Sequence, residues 1–156
     1  MGDIMKKAHS IKVENIVTLE LIDRKTGKVV ERKVSKNATG PAGAFALVYL
    51  INGQITDANT IKNWKYFYLF TATKSLIKFL EGSWSVAEDV GGAVRAVFTA
   101  NDASTDVYDS AYQGLYWSND AISPSQMGLF QTQTISKTAD KILGVTWEVR
   151  VSYSTP

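Results

Sequence analysis

The sequence contains no cysteine and a single histidine, His9. Without cysteine there are no disulfides and no thiolate-held zinc, a composition that suits a chain made in a reducing cytoplasm. A Ser-His-Asp triad or a histidine metal site would have to use His9, which lies in a basic leader and reads as a solvated side chain. Long apolar runs are missing too. Nothing approaches the ~18–20 residues that span a bilayer, so no membrane partner is expected. Lys6 and Lys7 are not followed by an apolar stretch, so no secretory signal is expected. Lys6 also stands where a myristoylation motif needs Ser or Thr. Phosphate-loop, dinucleotide-binding, G-x-S-x-G and H-E-x-x-H motifs are all absent. No catalytic residue, cofactor or metal ligand is therefore assigned.

The composition that is present belongs to a globular chain. The 156 residues are 45% apolar and 21% charged, too rich in core residues for disorder. That length suits one domain, taken as residues 11–156 behind an N-terminal arm at 1–10. The net charge of +2 hides an asymmetry. Residues 1–40 hold nine Lys/Arg against five Asp/Glu, a balance of +4, whereas residues 81–120 hold one Arg against seven acids, a balance of −6. The basic charges lie on an alternating hairpin with no aromatic platform among them, so no nucleic-acid partner is expected. Complementary patches of this kind favour contact between neighbouring copies.

Hydrophobic periodicity is mostly that of strands. In residues 12–22, Val13, Val17, Leu19 and Leu21 share a face. Gly27 sits in a short turn, and residues 28–35 return with Val30 and Val34 on one face, which completes a β-hairpin. WKYFYLFT, from Trp64, is apolar on both faces, as in a strand buried on both sides. Further strands are expected at 93–99, 111–118 and 126–135. In the final segment Leu143, Val145, Trp147, Val149, Val151 and Tyr153 alternate strictly with small or polar residues. SLIKFL at 75–80 is compatible with one or two helical turns. About seven strands and one helix give an antiparallel β-sandwich.

The helix is expected at 41–52, between Pro41 at its first turn and Gly53 as its stop. Phe45, Val48 and Tyr49 fall on one face and Leu47, Leu50 and Ile51 on another. Apolar on nearly every side, it needs cover from two directions. Either the 75–80 segment or another subunit supplies that cover. Phe45, Leu47, Tyr49 and Leu50 are accordingly the candidate assembly interface.

Two segments bear on chemistry. In the acidic loop 101–110, Asp102, Ser104, Asp106 and Ser110 fall where an EF-hand places its oxygen ligands. Val107 replaces the glycine that the sharp turn needs, and Gln113 replaces the bidentate glutamate. The loop therefore reads as polar connection, with a looser calcium or magnesium site as the metal alternative. Glu88 and Asp89 are adjacent, and neighbours along a strand point to opposite faces, which does not make a glycosidase pair. Trp84, Tyr112, Tyr116 and Trp117 are the aromatics that a sugar-stacking platform would use. Core packing is the plainer account of aromatics inside alternating strands.

Residues 35–153 carry a resemblance. The order of strand hairpin, KNATGPAGAFALVYLI, WKYFYLFTATKS, VFTANDAS, AYQGLYWS and ISKTADKILGVTWEVRVS resembles small β-rich virion structural proteins (tail, fibre or decoration type) of tailed phages and related viruses. The polar ISKTAD turn leading into the alternating V-T-W-E-V strand carries most of it. The resemblance implies a homo-oligomeric subunit attached to other virion proteins, located in the virion and made in the host cytoplasm. A carbohydrate-binding β-sandwich is the alternative, and a small glycosidase-like enzyme ranks below it.

Overall fold

The computed structural model describes residues 11–37 and 64–153. Ten strands lie within them: β1 (Ile11–Asp23), β2 (Val29–Asn37), β3 (Tyr66–Phe70), β4 (Leu76–Glu81), β5 (Ser83–Trp84), β6 (Glu88–Asp89), β7 (Ala93–Asp102), β8 (Tyr108–Tyr116), β9 (Leu129–Lys137) and β10 (Lys141–Tyr153). One antiparallel sheet runs β2-β1-β10-β7-β5, with β6 also on β7; the other runs β4-β3-β8-β9. The two pack face to face as a β-sandwich. The helix expected at 41–52, with Phe45, Leu47, Tyr49 and Leu50, lies outside the described residues, as does the arm at 1–10. The helical element among the described residues is a single 3-10 turn at Pro124–Gln126.

Alternation explains the core. Val17, Leu19 and Leu21 of β1, Phe98 of β7 and Leu143, Val145 and Trp147 of β10 point inward from the first sheet. Phe67, Leu69, Leu80, Leu115, Leu129 and Ile135 meet them from the second. The register places Val17 opposite Trp147 and Trp147 opposite Phe98, so one row crosses three strands. The Trp147 ring meets Phe67 edge-on at 6.2 Å, and its indole N–H donates to Asn15 Oδ1 at 3.2 Å.

β3 is buried on both sides, as its composition requires. Phe67 and Leu69 enter the inter-sheet core, while Tyr68 and Phe70 join a second cluster with Ala121 and Met127. The connection between β8 and β9 forms part of that cluster. Tyr68 donates to Ser118 O at 2.6 Å and accepts from Ala121 N at 3.2 Å. Burial, and then the nearby Asp120, push the Tyr68 hydroxyl up to about 12. The Ser123–Gln126 capping box holds the 3-10 turn that sets Met127 over Gly114.

One feature departs from the sequence reading. Residues 76–80 of the 75–80 segment are strand, not helical turns: β4 pairs antiparallel with β3. Lys74, at φ 66, closes the tight turn between them with Lys74 N donating to Thr71 O at 2.9 Å. A six-residue helix is marginal on its own, whereas β3 offers a ready edge to pair with. In the β1–β2 hairpin, Val34 stands opposite Thr18 and not opposite a core position. The β2 residues opposite Val17, Leu19 and Leu21 are Ser35, Lys33 and Glu31.

The chain passes from the second sheet into the first at Gly82, between β4 and β5. A Cβ there would lie 2.3 Å from Thr99 O and 2.4 Å from the Phe98 ring. Backbone and a buried ring cannot both yield, so Gly82→Ala is expected to lower stability by about 1–3 kcal/mol. Denaturant unfolding checks this, and an unchanged midpoint would show that the corner is loose.

Candidate functional site

The acidic loop is the densest polar cluster, and its chemistry follows from what surrounds it. Asp102 closes β7 and is 4% exposed. Its carboxylate accepts from Ser104 N at 3.0 Å, from the Tyr108 hydroxyl at 2.8 Å and from Lys78 Nζ at 3.2 Å. Lys78 also reaches Asp106 at 2.7 Å. Burial alone raises the Asp102 pKa. Hydrogen bonds from Ser104, Tyr108 and Lys78 outweigh it and hold the group at about 2. Tyr108 is pushed up, first by burial and then by its bond to Asp102.

Two further cations grip the loop backbone. Lys137, fully buried, donates to Ser104 O at 2.6 Å and Asp106 O at 3.0 Å, with its Nζ 5.8 Å from the Tyr108 ring centre. Burial pushes its pKa down. Arg24, from the β1–β2 turn, donates to Ser104 O at 2.9 Å. Lys78 thus sits between Asp102 and Asp106, where a divalent ion would have to sit. Ser110 points elsewhere, to Phe70 O and Gln113. The four oxygen-bearing residues singled out by spacing therefore do not converge on one point. Chelators are expected to leave the melting temperature unchanged, and a marked fall with EDTA would restore a metal site here.

The candidate sugar-stacking aromatics are divided. Trp84 leans on Phe98 at 5.6 Å and donates to Trp64 O at 3.0 Å, at the end of the first sheet. Tyr112 stacks on Phe130 at 5.8 Å, and Tyr116 lies 4.2 Å from Trp117 at an interplanar angle of 34°. Trp117 in turn tilts against Trp64. These rings cover one another instead of forming one flat row. Glu88 is held by Arg95 at 2.6 Å, and Asp89 accepts from Gly91 N at 2.9 Å. They do not face each other across a cleft. The open depression at the Gly82 corner is lined by Glu81, Gly82, Ser83, Thr99, Ala100 and Asn101, with Glu81 its one ionisable group.

The remaining surface of interest is β2. It forms one edge of the first sheet among the described residues. Val29, Val30 and Val34 are 43%, 54% and 57% exposed. Lys33 is turned back to bond Thr134 of β9, and Arg32 pairs with Glu20 of β1 at 3.0 Å. Acids of the 81–120 stretch are largely spent within the chain, on Lys65, Arg95 and Lys78. Spacing gave no sign of the Lys78, Lys137 and Arg24 grip, because these residues lie far along the chain from the loop. His9 and the candidate interface Phe45, Leu47, Tyr49 and Leu50 fall outside the described residues. Comparisons of the chain with protein-family models, curated proteins and solved structures find no match.

Proposed function

We propose that this chain is a virion structural protein, a decoration, tail or fibre-associated subunit that self-assembles and attaches to a larger particle. The observation that carries the self-assembly part is the β2 edge. Nine residues long, it presents three exposed valines. An edge strand left open among the described residues is a template for another strand, and the lysines and the irregularity of β2 restrict which strand it accepts. The virion part rests on the sequence resemblance across residues 35–153.

In this reading apolar surface buried between copies supplies the association, and polar rims set its register. The test is to purify native particles and quantify the chain in them by mass spectrometry. A fixed, multiple copy number per particle is expected. Recovery of the chain wholly outside particles would contradict the virion role. The half-exposed Trp64–Trp117–Tyr116 cluster keeps sugar binding as the second reading. A glycan that shifts tryptophan fluorescence saturably would favour it.

A further inference from the structure

We infer that β2 is the site of a two-fold contact, in which the strand pairs antiparallel with β2 of a second copy about an axis through Arg32. This rests on the self-assembly reading above and specifies its surface.

The central residues of β2 are Val30, Glu31, Arg32, Lys33 and Val34. Run antiparallel to itself about Arg32, this segment sets Val30 against the second copy's Val34 and Glu31 against its Lys33. Each pair occurs twice. Within one chain Lys33 lies 3.5 Å from Glu31 and bonds Thr134, so it would be shared between the two carboxylates. Directly opposed side chains on paired strands interact most strongly, with opposite charges favourable and like charges unfavourable. Arg32 meets its own mate on the axis, and Glu20 already neutralises it at 3.0 Å. Val34 and Val30 are the more exposed of the β2 valines, so their burial is the apolar gain.

The charges also select the register. With both sandwiches on the same side of the joined sheet, the neighbouring registers centre on Glu31 or on Lys33. Each of the three sets one like-charged pair on its axis, but only the Arg32 register also sets valine against valine and Glu31 against Lys33. Lysines on an edge deter pairing with arbitrary strands. Here the same residues leave one self-complementary alignment. The opposite edge of this sheet is unsuited to the role, because β5 and β6 are two residues each. β2 does contain an irregularity: Val30 stands opposite no β1 residue.

The absence of cysteine makes the test clean. Opposed Cα atoms on antiparallel strands are about 4.5–5.5 Å apart, within disulfide range. Under mild oxidation the Arg32→Cys full chain is expected to cross-link into a covalent dimer. The Val34→Cys chain is not, since its two copies would lie four residues apart along the strand, about 13 Å. A mixture of Val30→Cys and Val34→Cys chains cross-links. Independently, Glu31→Lys and Lys33→Glu should each weaken association about tenfold, and the double swap should restore it. Circular dichroism melts of every variant separate loss of contact from loss of fold.

An assembled chain in which Arg32→Cys does not cross-link, or Val34→Cys cross-links with itself equally well, overturns this interface and leaves the assembly reading standing. A chain that stays at single-chain mass and forms no cross-link overturns both.

Discussion

Replacing Trp147 with alanine is expected to destabilise the chain by about 3–5 kcal/mol, the range for deleting a large buried aromatic side chain. Trp147 is fully buried at the centre of the row that joins Val17, Trp147 and Phe98 across the first sheet. Its removal opens a void against Phe67 and leaves Asn15 Oδ1 without its indole donor. A domain of this size has only about 5–15 kcal/mol to lose. Val86→Ala, at a side chain 88% exposed and away from β2, should stay within about 0.5 kcal/mol. Denaturant titration of both variants checks the pair. A mild Trp147 effect would mean that β10 is shifted by one residue, since a single step turns every side chain to the other face.

Removing the Asp102 carboxylate should have the next largest effect. Asp102→Ala is expected to cost about 3 kcal/mol, the low end for breaking a buried ion pair, because Lys78 keeps Asp106 and part of its exposure to water. The Tyr108 hydroxyl and Ser104 N–H would lose their shared acceptor. The pH dependence has a definite sign. The folded carboxyl titrates at about 2 against an ordinary 3.8. Its stabilising contribution is therefore complete above about pH 4 and disappears as the pH falls toward 2. That window corresponds to about 2 kcal/mol. The Asp102→Asn chain should show a flatter loss of stability between those values. An acid limb as steep as that of the parent would place the titrating group elsewhere.

The fold was legible wherever one face of a strand is buried and the other is wet. Strict alternation in β10 identified Trp147 as core, and apolar residues on both faces of β3 announced burial on both sides. Gly27, at φ 70, closes the β1–β2 hairpin as its position suggested. β4 was not legible for a physical reason. Leu76, Ile77, Phe79 and Leu80 suit a helical face as well as a strand, and the left-handed turn residue that would have marked a hairpin is Lys74, not glycine. β5 and β6 are too short to carry a period at all.

The candidate sites were legible in part. The acidic loop stood out by composition, but its meaning depends on three cations contributed by other strands and turns. Lys137 comes from the end of β9, Lys78 from β4 and Arg24 from 80 residues before Ser104. Local spacing carries no information about such partners. On β2 the valine spacing was visible, while the direction in which Val34 points was not. It is set by pairing with Thr18, which turns Ser35, Lys33 and Glu31 to the core-side register instead.

Sedimentation equilibrium of the full chain across the micromolar range tests the central claim most directly. The account predicts a weight-average mass that rises with concentration from the 17.2 kDa of one chain toward twice that value or beyond. A mass that holds at 17.2 kDa at every concentration would contradict it.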